Sequence, residues 1–222
     1  MNPIALPSAS PLPASLPLPK RPRGRPRKTE DERDDGNRRG ELLKAAAKLF
    51  RRKGFDATTT RDVAAAVGMR SGSPFYHFKS KSALLYAVME EGMHSAIARQ
   101  HQALDGSTGN ARERLHTLVR AHFDILHGAG NDFIPVMLYE HRSLSPKQRA
   151  TLAKLQDDYE APWTPLLEAL HASGQLRAPV KLSRLLVLGA LNWSVQWYDR
   201  KGGASLDDLT SAVMALFSLE PA

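Results

Sequence analysis

Residues 63–85 read VAAAVGMRSGSPFYHFKSKSALL. An alanine-rich helical stretch meets Gly68, a helix of barely two turns is expected around Ser73–Phe78, and Lys79-Ser80-Lys81 heads a third helix. A core helix in the middle position would carry Leu and Ala. This one instead carries Arg70, Ser71, Gly72, Ser73, Pro74, Tyr76 and His77. Two short helices across a tight glycine-containing turn form a helix-turn-helix, whose second helix need only present its N-terminal turn to a DNA major groove about 12 Å wide. Ser71, Gly72 and Ser73 permit close backbone approach, and a helix N-terminus is itself a phosphate-binding dipole. Arg70, Tyr76, His77 and Lys81 supply hydrogen-bond donors around it, with Lys79 adding charge. Val63, Ala64, Val67 and Phe78 are the apolar residues expected to fix the angle between the two helices.

The distribution of charge agrees with a polyanion-facing end. The 222-residue chain carries a net charge of +8, yet residues 101–222 hold twelve Lys/Arg against thirteen Asp/Glu, so the excess lies wholly in the first hundred residues. Such asymmetry is the electrostatic footprint of nucleic-acid binding, although a merely solubilising face would give the same count. Upstream, KRPRGRPRK (Lys20–Lys28) places six cations in nine residues. Its core, Arg23, Gly24, Arg25, Pro26 and Arg27, resembles an AT-hook, an extended arm for the narrow minor groove of A·T-rich DNA. The alternative is a generic basic tail that binds phosphates.

Apolar residues make up 42% of the chain, enough for a core, and no run of about 18 apolar residues is present to span a membrane. There is no cysteine, which excludes disulfide scaffolds and thiolate metal sites. The opening MNPIALPSASPLPASLPLP lacks the charged start and continuous apolar stretch of a secretory signal, so a cytoplasmic, nucleoid-associated protein without membrane partners is expected.

Beyond the motif the pattern is helical throughout, with no strand alternation and no repeat, and the predicted fold class is all-α. Residues 1–36, rich in Pro, Ser and charge, are expected to be largely disordered. A first helix is predicted over about 38–53, ended by Gly54. Thr59 and Asp62 form a capping box for a second helix reaching Val67. Later helices are predicted over about 81–104, 109–127, 131–142, 146–171 with an interruption at Pro162 and Pro165, 182–199, and from Ser205 onward. The 182–199 segment is apolar nearly all round, which suits either a central core helix or a subunit interface.

From Asn37 to about Ile97, through LLKAAAKLFRRKGFDATTTRDVAAAVGMRSGSPFYHFKSKSALL, the sequence resembles the TetR family of transcriptional repressors. The shared pattern is an Ala-x-x-Leu-Phe helix, Gly-Phe-x-x-Thr-Thr, a helix ending in Ala-Gly, then Gly-x-Leu-Tyr-x-His-Phe-x-Ser-Lys. Here Pro74-Phe75 replaces Leu-Tyr, and Arg70 stands where Ser is common. The resemblance implies a helix-turn-helix domain over 37–97, with the motif at about 60–79, and an effector-binding and dimerisation domain over 98–222. It implies a surface for double-stranded DNA made by Thr59, Thr60, Arg61, Arg70, Ser71, Gly72, Ser73, Pro74, Tyr76, His77 and Lys81. It also implies a homodimer reading a palindromic operator.

The stretches LYEHRSLSPKQRATLAKLQDDYEAPW (138–163) and GALNWSVQWY (189–198) are similar to the C-terminal half of TetR-type regulators of fatty-acid and sterol-ring breakdown. That similarity implies a small-molecule effector of the acyl-CoA class, with Arg142, Lys147 and Arg149 either meeting its phosphates or forming an ordinary solvated face. Phe123, Met137, Tyr139, Trp163, Trp193 and Trp197 are the candidate pocket residues. His122, His127, His141 and Glu140 have spacings that match no recognised ligand set, so no metal or cofactor is expected. No Ser/His/Asp constellation, phosphate loop or paired-carboxylate motif points to an enzyme. The competing reading is an architectural A·T-rich DNA binder dominated by the arm, without an effector.

Overall fold

The computed structural model describes residues 30–69, 77–128 and 132–217, with side chains from Arg38 onward. Among these residues there are helices and connecting turns but no strand. The helices are α1 (Glu30–Lys53), α2 (Thr60–Ala66), α3 (Lys81–Asp105), α4 (Ala111–His127), α5 (Phe133–Glu140), α6 (Pro146–Glu160), α7 (Trp163–Ala172), α8 (Val180–Trp193) and α9 (Leu206–Phe217). Single 3-10 turns follow α5 (His141–Ser143) and α8 (Ser194–Gln196).

Three boundaries differ from the sequence reading. α1 begins at Glu30, inside the stretch expected to be disordered. Residues 30–39 contain no proline, and their acid-first, base-later order suits the helix dipole. The predicted 146–171 helix is two helices, because Pro162 has no N–H to continue the ladder and ends α6 at Glu160. Pro165 sits in the first turn of α7, where a missing N–H costs nothing. The predicted 182–199 helix stops at Trp193.

Apolar stripes assemble two adjoining cores. One gathers Leu42, Ala46 and Phe50 of α1 with Val63 of α2, Phe78, Leu84, Val88 and Met89 of α3, and Ile134 and Val136 of α5. The other joins Leu118 and Phe123 of α4 to Trp163 and Leu167 of α7, Val187 and Leu191 of α8, and Met214 of α9. α3, with 25 residues, spans about 37 Å and is the beam on which both are hung. α5 lies hard against it at Gly92, where an added Cβ would come within 2.6 Å of the Phe133 Cβ. α8 buries Val187, Leu188 and Leu191 on one side and exposes Leu182, Leu185, Leu186 and Trp193 on the other, so it is a core helix with a second apolar face left open.

Candidate nucleic-acid interface and effector cavity

The head is built by local hydrogen bonding. Gly54 closes α1 at φ +81°, a conformation an L side chain rarely adopts, and Thr58, fully buried, donates its hydroxyl to the Gly54 carbonyl at 2.8 Å. Thr59 caps α2: its hydroxyl accepts from the Asp62 N–H (3.1 Å), and the Asp62 carboxylate accepts from the Thr59 N–H (2.8 Å). The Thr59 N–H and then its hydroxyl, which also donates to the Asp62 carboxylate at 2.8 Å, hold the Asp62 carboxyl below the usual aspartate range. Gly68, at φ +68°, then turns the chain out of α2.

Of the expected DNA-contacting residues, Thr59 and Arg61 are exposed and Thr60 is half-buried at the start of α2. His77 is half-buried beside Phe78, which is buried. The Lys81 ammonium reaches back across the head, donating to the carbonyls of Phe55 (2.8 Å) and Asp56 (3.3 Å) and lying 4.2 Å from the Phe55 ring centroid. It therefore ties the α1–α2 loop to the head of α3. Arg70, Ser71, Gly72, Ser73, Pro74 and Tyr76, and the arm residues Arg23, Gly24, Arg25, Pro26 and Arg27, lie outside the described residues.

At the junction of the two cores is a cavity of about 330 Å³. α3 contributes Met93 and Ala96, α4 contributes His122 and Ile125, and α5 contributes Ile134, Met137 and Leu138. His141 follows from the 3-10 turn, α6 adds Leu152, Ala153, Gln156, Tyr159 and Glu160, and α8 adds Leu188 and Asn192. The exposed residues among these, His141, Ala153 and Gln156, mark the mouth. This volume is at the small end of ligand pockets, about 300–1,000 Å³.

The inner wall is polar and paired. Burial drives the His122 imidazole down to about 4, so it is neutral at pH 7. Its Nε2 lies 3.2 Å from Asn192 Oδ1, an acceptor, and Nδ1 lies 2.8 Å from the Tyr159 hydroxyl. A neutral ring carries one proton, so Nε2–H donates to Asn192 and Tyr159 O–H donates to Nδ1. Burial raises the Tyr159 phenol far above its ordinary value and keeps it protonated. Behind them Gln100, fully buried, bridges the Tyr159 carbonyl (2.8 Å) and the Trp163 indole N–H (2.9 Å) when its amide is turned to satisfy both.

Only Met137 of the expected pocket residues lies on the cavity wall. Phe123 is buried in the distal core, and Trp163 is one layer behind the wall, edge-on to His122 at 5.9 Å between ring centroids. Tyr139, Trp193 and Trp197 are exposed; the Tyr139 hydroxyl accepts from Gln196 at 2.6 Å. The offset between these residues and the cavity wall is mostly one of helical phase. His122, Leu138 and Asn192 face inward, and Phe123, Tyr139 and Trp193, each one residue on, are rotated away by about 100°. Aromatic character drew attention where a polar residue within an apolar stripe was the better signal, as with His122 in LVRAHFDIL and Gln100 in IARQHQAL. Arg149 donates to the Leu144 carbonyl at 2.6 Å, and Arg142 and Lys147 are exposed.

Cavity and head are joined through α5. At its start Asp132 accepts from Arg51 of α1 at 2.9 Å, and at its end Glu140 accepts from the Phe55 N–H at 2.8 Å. Between these anchors, Ile134, Met137 and Leu138 line the cavity. A helical head with a capped short helix is thus joined through α5 to a helical body with a cavity.

Comparison with known proteins gives the family. The model for bacterial regulatory proteins of the tetR family matches residues 42–88, and the model for the tetracyclin repressor-like C-terminal domain matches residues 108–219, half of the chain. The AT hook motif model matches residues 20–32. The HTH-type transcriptional repressor KstR2 of Mycobacterium tuberculosis is 30% identical over 75% of this chain and 84% of its own length. Among solved structures, superantigen PfiT is 39% identical, covering 81% of this chain and 95% of that one, with a TM-score of 0.69. AibR in complex with isovaleryl coenzyme A and operator DNA has a TM-score of 0.75 at 21% identity, covering 81% of this chain and 97% of that one, and shares the fold. The chain belongs to the TetR family of transcriptional regulators. Among the described residues no helix is long and apolar enough to cross a membrane.

Proposed function

We propose that this protein is a homodimeric repressor that holds a palindromic operator through its two helix-turn-helix heads and releases it when a small molecule fills the body cavity. The observation that carries this reading is the double anchoring of α5. One two-turn helix forms a cavity wall and grips the head at both ends, through Asp132–Arg51 and Glu140–Phe55. A ligand that favours one placement of α5 thereby favours one placement of the head, which shifts the population between DNA-competent and released states.

The dimer is supported by the open face of α8. Leu182, Leu186, Gly189 and Trp193 fall at helical spacing, with Leu216 of α9 80% exposed nearby in sequence order. Among the described residues nothing lies within 4 Å of where a Cβ on Gly189 would sit, which leaves room for a partner helix there. The head is assigned to about residues 37–97 and the body to 98–222, with Thr59, Thr60, Arg61 and Arg70–His77 toward DNA. The Lys81 bonds to Phe55 and Asp56 favour a role in bracing that surface. An acyl-CoA effector is supported by the C-terminal resemblance and by the complex reported for AibR.

The AT-hook match favours a second contribution, in which Arg23–Arg27 enter an adjacent minor groove. Binding selection on the purified protein, then footprinting with and without residues 1–29, separates the readings. A compact palindrome kept by the truncated protein supports the operator-reading repressor. Broad A·T-rich binding that disappears with the arm supports an architectural protein instead.

A further inference from the structure

Resting on the reading of the cavity as the effector site, we infer that it selects an uncharged ligand: an apolar skeleton bearing one carbonyl or hydroxyl oxygen, held by the Asn192 side-chain amide. The argument is one of counting donors. Tyr159 O–H is committed to His122 Nδ1, and His122 Nε2–H is committed to Asn192 Oδ1. The Asn192 N–H2 finds no protein acceptor among the described residues, and Asn192 lines the cavity. Asn192 is half-buried, so this donor faces the cavity with only solvent to meet it, and a ligand oxygen that displaces that solvent would accept from it.

Charge sets the rest. Among the described residues no lysine or arginine lines the cavity. His122 is neutral, and the acidic wall residue is Glu160, 3.5 Å from Arg184 and accepting from Gln156 at 2.9 Å. His141 is at the exposed mouth. A carboxylate or phosphate drawn inside would lose its hydration with no cation to replace it and with Glu160 facing it, whereas a ketone or alcohol loses little. A charged ligand such as a coenzyme thioester can therefore offer only its neutral acyl portion to the interior, its phosphates staying at the mouth. A free neutral molecule satisfies the same wall.

The test uses one rigid skeleton in different charge states: 2-adamantanone and adamantane-1-carboxylate, titrated calorimetrically at pH 7 into the full-length protein and into Asn192→Leu, with circular dichroism as the folding control. The expected result is ketone binding at least tenfold tighter than carboxylate, and about a tenfold loss of ketone affinity in Asn192→Leu. Imidazole NMR signals of His122 should shift on ketone binding, placing the ligand at this wall. Should Asn192→Leu misfold, Asn192→Asp, which exchanges the donor for an anion, makes the same comparison. Equal or tighter carboxylate binding, an unchanged ketone affinity in the folded variants, or no binding of either probe would overturn the inference. Adding isovaleryl-CoA alongside the ketone distinguishes a thioester tail from a free ligand. If the ketone binds as expected but operator DNA is not released, the repressor reading fails while the ligand class stands.

Discussion

Glu140 and Phe55, 85 residues apart, share a 2.8 Å hydrogen bond from the Phe55 N–H to the Glu140 carboxylate, joining the last residue of α5 to the loop that opens the helix-turn-helix. A carboxylate accepting from a half-buried amide is among the stronger protein hydrogen bonds. Glu140→Ala should therefore lower unfolding stability by about 1–2 kcal/mol, with Glu140→Gln recovering part of it. Urea titration measures this. If Glu140→Ala matches the parent in both stability and operator affinity, α5 is not the link between body and head.

Gly92 gives a packing test of the same helix. A methyl there meets the Phe133 Cβ at 2.6 Å, an atom rooted in the α5 backbone and unable to swing aside. Gly92→Ala should cost about 1–3 kcal/mol and displace α5 from α3. Thermal unfolding checks the first, and a changed affinity for cavity ligands checks the second.

His122 makes stability depend on pH in a stated direction. Its folded-state value, about 4, lies below the ordinary 6.5, so the unfolded chain binds the proton more readily. Its contribution is fully present above pH 6.5 and is lost as pH falls toward 4, amounting to about 3 kcal/mol at most. Denaturation from pH 7.5 to 4.5 should show this loss, and a folded His122→Asn variant should show a shallower one.

The open face of α8 predicts a subunit contact. Leu186 is 61% exposed in the single chain, and Leu186→Glu should yield a folded monomer in sedimentation analysis. Operator affinity should drop by at least tenfold, because two linked heads bind far more tightly than one. A dimer that persists unchanged would move the interface elsewhere.

The basic arm predicts a salt signature. Each phosphate neutralised contributes about 0.9 to the slope of log K against log salt, so removing the six cations of Lys20–Lys28 should reduce that slope by about three to five. An unchanged slope would mean the arm does not touch DNA.

The head was legible because its signals are local: the Thr59–Asp62 box, the glycines at 54 and 68, and the apolar spacing of α1 and α3 each reappear as bonds or burial. The cavity was not, because it is made where five helices meet and a helical phase error of one residue decides which side chain enters it. Asn192 and Tyr159 carry no motif; their importance arises from what His122 does between them. The double character of α8 was also hidden, since a helix apolar all round has the same periodicity whether its second face meets its own chain or another.

The backward continuation of α1 to Glu30 bears on how the two DNA-seeking parts cooperate. Between Glu30 and Leu42, the first of the described α1 side chains sealed in the core, the helix extends about 18 Å as a stalk. The chain before Glu30 therefore joins the protein at the far end of a helix and not at the core itself. Its local concentration around the docked head becomes a matter of aim. Adding two residues to the stalk would swing the launch point about 200° around the helix axis, toward the opposite face of the stalk, while seven would nearly restore it. Spacing in this segment should therefore act with the rhythm of a screw thread.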